Sequence, residues 1–253
     1  MSTPTPIAIV TGGSRGLGRS TVLALAKRGI RSIFTYHSNL AEAQKVEALA
    51  RDAGVHTIAL QLDTGQVSGF DDFVSRVRGA LKQLGADRFD YLVNNAGDSH
   101  NNLIEKTTEA ELDHVFAVHF KGPFFLTQKL LPLINDGGRI VNLSSGLARF
   151  AHPGRASYGS MKGAIEVLTR YLAKELAPRG IAVNTVAPGA IATDFSGGAV
   201  RDNPDFNKAV ASATALRRVG LPDDIGPMIA SLLGEENRWI NAQRIEVSGG
   251  MNI

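Results

Sequence analysis

The sequence predicts an α/β fold: a doubly wound parallel sheet of about seven strands, flanked by helices. Short apolar runs of strand length alternate with segments whose apolar residues recur at helical spacing, and this alternation continues along all 253 residues. The first apolar run, Ile7 to Val10, leads through a glycine-rich turn into a helical pattern. Because the alternation never breaks, we expect one domain covering residues 1–253.

The elements follow from the apolar pattern in chain order. Seven runs are expected to be strands: residues 7–10, 33–36, 55–62, 89–93, 139–143, 181–186 and 245–247. Helical spacing is found over Phe70–Leu84, Ser157–Ala177 and Ile225–Leu233. Ligands of such sheets bind at the carboxyl ends of the strands, and the motifs described below follow those ends.

Charge and composition narrow the classes of function. The net charge is +3, and the Lys and Arg residues are scattered without a dense basic run, which argues against nucleic-acid and membrane partners. No apolar stretch approaches the ~18 residues of a membrane span, and Met1 to Pro6 lacks the regions of a signal peptide. We therefore expect a cytoplasmic protein. With no cysteine and no metal-type spacing among the histidines, no metal site is expected.

The glycine-rich turn after the first strand, Thr11 to Gly18, is a candidate phosphate cradle. Glycines at 12, 16 and 18 let the backbone turn tightly and approach an anion, while the start of the following helix attracts negative charge. The spacing differs from the usual dinucleotide fingerprint. By itself, such a turn is more often only a turn.

A second motif combines Ser145 with Tyr158 and Lys162. Residues four apart on a helix share a face, so the phenol and the ammonium point the same way. An ammonium roughly 4 Å from the phenol supplies about 4 kcal/mol at an effective dielectric of ~20, close to three pKa units before desolvation opposes it. The motif predicts proton transfer, although Tyr and Lys at this spacing are common on ordinary helices.

Four segments occur in one order: Thr11 to Gly18, Asn94 to Gly97, Ser145 with Tyr158 and Lys162, and Pro188-Gly189 with Thr193. Together they resemble the single-domain branch of the short-chain dehydrogenase/reductase family, over nearly the whole chain. The resemblance implies a Rossmann-like fold and an oxidoreductase similar to 3-oxoacyl-acyl-carrier-protein reductases. Such an enzyme transfers a hydride between a nicotinamide and a ketone or secondary alcohol. A regulatory protein that binds NADP(H) without turnover is the alternative.

The resemblance implies a role for each residue of the second motif. Tyr158 is the proton donor or acceptor, Lys162 lowers its pKa and holds the nicotinamide ribose, and Ser145 polarises the substrate carbonyl. Ser144 competes with Ser145 for the third role, and the separation from Tyr158 favours Ser145.

The expected cofactor is NADP(H) rather than NAD(H). The segment after the second strand, Phe34 to Asn39, has no carboxylate for a ribose hydroxyl, whereas the Arg15 guanidinium could pair with a 2′-phosphate. Alternatively, Arg15 is a solvated turn residue and Ser38-Asn39 caps the next helix. The cofactor-binding residues implied by the resemblance are Gly12, Ser14, Arg15, Gly16, Leu17, Gly18, Tyr36, His37, Ser38, Asp63, Thr64, Asn94, Ala96, Gly97, Tyr158, Lys162, Pro188, Gly189, Ile191 and Thr193.

Two positions depart from the family's usual residues. His119 stands where members usually have an Asn that anchors a water linking the Lys to solvent. A histidine can donate from one ring nitrogen and accept at the other, so His119 is a candidate catalytic residue; a buried histidine with a structural bond is equally expected. The milder departure is Asn241-Ala-Gln243, where a glycine is commoner.

The substrate class beyond a small carbonyl or alcohol compound is not readable from the sequence. Its site is expected among Asp98–Leu103, Gly146–Ala156 and Ala190–Arg217, of which residues 190–217 resemble the family's mobile lid. The resemblance also implies a homotetramer built through two long helices, at 107–133 and 157–177, and through the C-terminal region. Phenylalanines in the first of these helices agree with an interface, although a core helix explains them too.

Overall fold

The computed structural model describes residues 5–253. Met1 to Pro4, which belong to the segment where no signal peptide is expected, lie outside the described residues. Seven parallel strands form one sheet in the order β3-β2-β1-β4-β5-β6-β7. The strands are β1 Ile7–Val10, β2 Arg31–Tyr36, β3 Thr57–Gln61, β4 Phe89–Asn94, β5 Ile134–Leu143, β6 Ala182–Pro188 and β7 Arg244–Val247. The reversal of strand order beside β1 is the doubly wound arrangement that was predicted.

Helices cover both faces of the sheet. They are α1 Gly16–Lys27, α2 Leu40–Asp52, α3 Phe70–Gln83, α4 Glu109–Phe116, α5 Gly122–Leu130, α6 Ala156–Glu175, α7 Ala199–Asp202, α8 Pro204–Ser212 and α9 Pro222–Leu232. Alternate residues of β1 face opposite layers: Ile7 and Ile9 pack with α3, α5 and α6, whereas Ala8 and Val10 pack with α1, α2 and α9. This period-two burial explains why the strand is apolar throughout.

The predicted helix over residues 107–133 is interrupted. The α4 helix gives way to a π-helical turn, Ala117–Lys121, before α5 begins. Pro123 has no N–H and therefore cannot donate the α-helical bond to the carbonyl of His119, four residues earlier. Gly122 donates instead to the carbonyl of Ala117, five residues back, as in a π-bulge. The bulge places His119 at the break.

Other predicted boundaries shift by a few residues. The β5 strand begins at Ile134, before the predicted residue 139, and α6 ends at Glu175 because Pro178 follows and Gly180 turns the chain at φ 66°. Ala242 adopts φ 59°, the left-handed conformation that explains why glycine is commoner there. In residues 5–253 no helix has the length and apolar character needed to cross a bilayer; the compartment stays a prediction.

Candidate active site

The glycine turn is held by side chains from the end of β4. Asn95 donates through Nδ2 to the carbonyls of Thr11, at 2.8 Å, and Gly12, at 3.2 Å. Thr11 Oγ1 accepts from the backbone N–H groups of Asn95 and Ala96, each at 2.9 Å. Sequence reasoning singled out Asn94 and Ala96 in this motif, but it is the Asn95 side chain that supports the turn.

At three positions of the turn, the backbone geometry explains why the residue is glycine. A Cβ on Gly18 would lie 2.1 Å from the carbonyl oxygen of Gly12, and one on Gly13 would lie 2.6 Å from the Cβ of Phe34. Gly12 adopts φ +66°, which a side chain disfavours. The backbone therefore forms a compact cradle whose close contacts exclude any larger residue.

The start of α1 meets the requirements of a pyrophosphate site. Arg15 occupies the N-cap without a side-chain capping bond, and the first turn contains no acidic residue. The first-turn N–H groups of a helix are left without intrahelical partners and attract anions. A Cβ on Gly16 would lie 3.6 Å from Cγ2 of Thr193. The glycine turn therefore meets the segment that follows Pro188-Gly189. The residues present fit the phosphates of a nicotinamide dinucleotide.

The end of β2 would face the adenosine side of that ligand. Tyr36 ends the strand, and Asn39 caps α2 by accepting from the N–H of Glu42 at 3.1 Å, as the alternative interpretation of Ser38-Asn39 predicts. The fold brings Asp63, another predicted cofactor residue, to this region: its Oδ2 lies 3.7 Å from Nε2 of His37. Arg15 is exposed.

The remaining predicted cofactor residues differ in whether they lie in the packed interior or near the ends of the strands. Asn94 donates to Thr127 Oγ1 and Asn142 Oδ1 at 3.0 and 2.8 Å, so its side chain serves the core of the sheet. Ser14 is buried, and Leu17 and Ile191 pack on the apolar layer beside α1 and α9. Those at the strand ends beside the cleft are Thr64, Gly97, Pro188 and Gly189.

Ser145, Tyr158 and Lys162 meet at the end of β5. Tyr158 is 7% exposed, and the Ser145 hydroxyl beside it lowers the pKa of its phenol. Ser145 Oγ accepts from the N–H of Leu147 at 3.2 Å, which leaves its own hydroxyl proton available to donate. Ser144, the competing serine, donates instead to Glu166 at 2.6 Å. The choice of Ser145 over Ser144 as the catalytic serine stays a prediction.

Burial dominates the ionisation of this group. It raises the pKa of Tyr158, against the smaller lowering effects of the Ser145 hydrogen bond and the Arg155 charge. Burial also lowers the pKa of Lys162 to about 8. Lys162 Nζ donates to the carbonyl of Leu143 at 2.8 Å and lies 5.5 Å from the centroid of the Tyr158 ring. The net pKa of Tyr158 is raised because desolvation is the largest influence on the phenol; the lowering by Lys162 that the resemblance implies stays a prediction.

His119 lies inside this pocket, at the π-helical turn. It is 1% exposed, and its ring stands edge-on to Tyr158 with centroids 5.0 Å apart. Burial, followed by the Lys162 charge, lowers the pKa of His119 to about 4, so the imidazole is neutral near pH 7. The structure thus places His119 beside the proposed proton carrier.

Asp98 connects this histidine to a second one. Its Oδ1 lies 3.2 Å from Nε2 of His119, and its Oδ2 lies 2.6 Å from Nε2 of His114. Burial opposes ionisation, but the two histidine bonds outweigh it and lower the pKa of Asp98 to about 2. Sequence reasoning assigned Asp98 only to the substrate region. The signal available was its position directly after Gly97, at a strand end.

The predicted lid is partly helical. Residues 190–217 contain a 3-10 segment, Phe195–Gly198, and the helices α7 and α8. The Phe195 ring lies 5.9 Å from that of Tyr158, so the segment covers the phenol. Arg155, half-buried, donates to the carbonyl of His100 at 2.9 Å and reaches Ser196 Oγ at 3.5 Å. The three predicted substrate segments therefore meet around Tyr158.

Comparison with known proteins agrees with this geometry. Residues 12–252 match the family model described as Enoyl-(Acyl carrier protein) reductase. The chain is 36% identical over 249 residues to the 3-oxoacyl-[acyl-carrier-protein] reductase FabG of Staphylococcus aureus, covering 98% of both chains. A short-chain type dehydrogenase/reductase of Picea abies is 33% identical, with 96% of this chain and 91% of that one covered.

Solved structures give the same result. The reductase LugOII, described as catalysing keto-reduction at C1 during lugdunomycin biosynthesis, superposes with a TM-score of 0.93 at 38% identity over 100% of both chains. The angucycline C-6 ketoreductase LanV with bound NADP has a TM-score of 0.93 at 33% identity, covering 98% of this chain and 96% of that one. Agreement over the whole chain in motif order, sheet topology and sequence means that this protein belongs to the short-chain dehydrogenase/reductase family of oxidoreductases.

Proposed function

We propose that the protein is an NADP(H)-dependent carbonyl reductase or alcohol dehydrogenase that interconverts a ketone and a secondary alcohol. The observation that carries the proposal is the buried pair Tyr158 and Lys162, with the half-buried Ser145 at the same strand end, together with a backbone cradle suited to phosphates. Ionisable side chains are costly to bury, and their shifted pKa values mark candidate sites of proton chemistry.

The residues divide the proton chemistry among them. NADPH, when bound, supplies the hydride, so the protein needs to handle only the proton. In reduction, Tyr158 Oη gives its proton to the substrate oxygen while the Ser145 hydroxyl hydrogen-bonds that oxygen. Burial keeps the phenol protonated, ready to act as the acid. The Lys162 ammonium then stabilises the phenolate that forms.

NADP(H) is favoured over NAD(H) because Arg15 provides a cation at the glycine turn while β2 ends without a carboxylate. An arginine pairs well with a 2′-phosphate. Asp63 lies near His37 at the same end of the sheet, and its negative charge repels a 2′-phosphate. We therefore expect His37 to donate a hydrogen bond to the phosphate only when its ring turns away from Asp63. LanV, one of the similar structures, contains NADP.

His119 takes the place of the family's usual Asn in the proton relay. Its carbonyl lacks the α-helical donor that Pro123 cannot supply, and its ring borders Tyr158. We expect His119→Asn to stay active because an amide restores the usual anchor. His119→Leu should slow the proton-dependent step, measured as turnover against pH with folding checked by circular dichroism.

The function is tested by NADPH oxidation with a panel of ketones, beside a fluorescence titration of NADPH and NADH. Turnover of at least one ketone, with tighter binding of NADPH than of NADH, supports the proposal. Tight NADPH binding without any turnover would favour the regulatory alternative. Weak binding of both cofactors would contradict both functions.

The same proposal includes a homotetramer. Large apolar side chains stay exposed along one face of α4, the π-helical turn, α5 and α6 at Phe116, Phe124, Val167 and Tyr171. Of these, Phe124, Val167 and Tyr171 line an apolar groove together with Phe120 and Leu172, the kind of patch that a second copy of the chain would cover. Light scattering should give four times the 26.9 kDa chain mass; a monomer at micromolar concentration would contradict this part of the proposal.

A further inference from the structure

Asp98 joins two histidines that approach it from one interrupted helix. His114 lies on α4 and His119 on the π-helical turn, and each places Nε2 against a different carboxylate oxygen. Asp98 itself follows β4. The exposure of the three side chains differs sharply: 59% for His114, 48% for Asp98 and 1% for His119. The cluster therefore runs from solvent to the buried pocket of Tyr158.

The charge of Asp98 decides which nitrogen of His119 carries the proton. An ionised carboxylate can only accept hydrogen bonds. Nε2 of His119 must therefore be the donor, and the neutral ring keeps a lone pair on Nδ1. That Nδ1 is buried and has no hydrogen-bond partner among the described residues.

The ring orientation keeps this lone pair inside the pocket. A Cβ on Gly97 would lie 2.7 Å from Cε1 and 3.2 Å from Nδ1 of His119, so only glycine lets the ring pack this closely on the β4 end. The charged or titratable groups that face His119 are Asp98, Tyr158 and Lys162, and His114 is linked to it through Asp98. Of these, only Lys162 and Tyr158 carry protons that Nδ1 of His119 could accept in a hydrogen bond.

We propose that Asp98 is a positioning residue that holds His119 in the Nε2–H tautomer, so that Nδ1 presents a buried acceptor to a water molecule bonded to Lys162. The inference rests on the proposed function only in its consequence for turnover. The tautomer itself is a property of the folded chain. His114 holds the second oxygen of Asp98 and limits its rotation, without contacting the pocket.

The test is ¹⁵N NMR of the protein labelled at its six histidines, with His119→Asn used to assign the His119 signals. In the wild type, the His119 shifts should show a protonated Nε2 and an unprotonated Nδ1 from about pH 6 to about pH 9. Asp98→Ala should convert these signals to a mixture of tautomers or to protonated Nδ1. Asp98 is half exposed, so this truncation leaves no buried cavity.

Two further variants separate positioning from mere structure. Asp98→Glu should restore much of the wild-type tautomer signal, and His114→Ala should leave it unchanged. In steady-state assays, Asp98→Ala should lower kcat about tenfold with little change in the NADPH dissociation constant, because only proton delivery is disturbed.

The inference is overturned if His119 shows protonated Nδ1 in the wild type, or if Asp98→Ala leaves the tautomer unchanged. A tautomer shift in Asp98→Ala, combined with no turnover of any ketone by the wild type, would instead contradict the proposed function and leave the positioning role standing.

Discussion

The two sides of the candidate active site are built from different parts of the chain. The cofactor side is mostly backbone: Gly12, Gly13 and Gly18 pack so closely that side chains are excluded, and the start of α1 offers N–H groups. The proton side consists of buried side chains, with Tyr158 and Lys162 both 7% exposed or less. Backbone holds an anion through shape, whereas buried side chains hold a proton through their altered pKa values. Changes on the two sides should therefore fail in different ways.

The largest effect is expected from Tyr158→Phe, which removes the proton carrier and leaves the ring packed. Turnover should fall by about 10²- to 10⁴-fold, while the NADPH dissociation constant stays within about twofold. Tyr171→Phe is the matched control on the same helix, because its ring is 64% exposed. Steady-state kinetics and fluorescence titration measure both quantities. Equal loss of binding and turnover would break the comparison.

The next effect is a pH dependence of stability. The pKa of His119 is about 4 in the folded protein against an ordinary 6.5, so unfolding takes up a proton below that ordinary value. Above about pH 6.5 the free energy of unfolding is not reduced by His119. As the pH falls toward 4, protonation of the unfolded chain lowers the free energy of unfolding by up to about 3 kcal/mol.

His119→Asn should remove this slope, since an amide does not titrate. The measurement is the free energy of unfolding from urea titrations at several pH values for both proteins. Histidines common to both, including the exposed His114, cancel in the difference. Parallel curves for the two proteins between pH 4 and about 6.5 would show that the His119 pKa is not lowered.

A smaller effect is expected from Gly18→Ala on the cofactor side. The new Cβ would meet the Gly12 carbonyl at 2.1 Å, and such overpacking costs about 1–3 kcal/mol. NADPH binding should weaken because the cradle must open. Gly79→Ala in α3 is the control, because no atom lies within 4 Å of its Cβ position, and it should leave binding unchanged. Unaltered binding in Gly18→Ala would contradict the role of the cradle.

The smallest effect concerns cofactor choice. Arg15→Ala should weaken NADPH about tenfold, or ~1.5 kcal/mol, because the exposed guanidinium gives a charge-assisted bond at the low end of its range. NADH should bind as before, since it lacks the 2′-phosphate. Arg78→Ala, exposed on α3, controls for the general loss of positive charge. Side-by-side titrations that weaken both cofactors equally would point to a steric role for Arg15.

The sequence by itself determined the sheet, its seven strands and the residues with the strongest chemistry. Apolar runs report burial directly, so β1 was found with its observed bounds. The pairing of Tyr158 with Lys162 follows from helical spacing, and the glycine turn from its composition. These features depend on neighbours within a few residues of the chain, which a pattern can reveal.

Tertiary structure decided everything that depends on burial or on distant partners. Only the fold brings Asp98 to His119 and His114, Asp63 to His37, and Phe195 over Tyr158. It also sets the raised pKa of Tyr158, because desolvation depends on how completely the packed chain excludes water. The helix break at His119 needed both Pro123 and a packed partner at Gly122, where a Cβ would meet the Thr64 carbonyl at 2.1 Å. The spacing of residues along a chain reports neither burial nor contacts with distant residues, since both arise only when separate elements pack against one another.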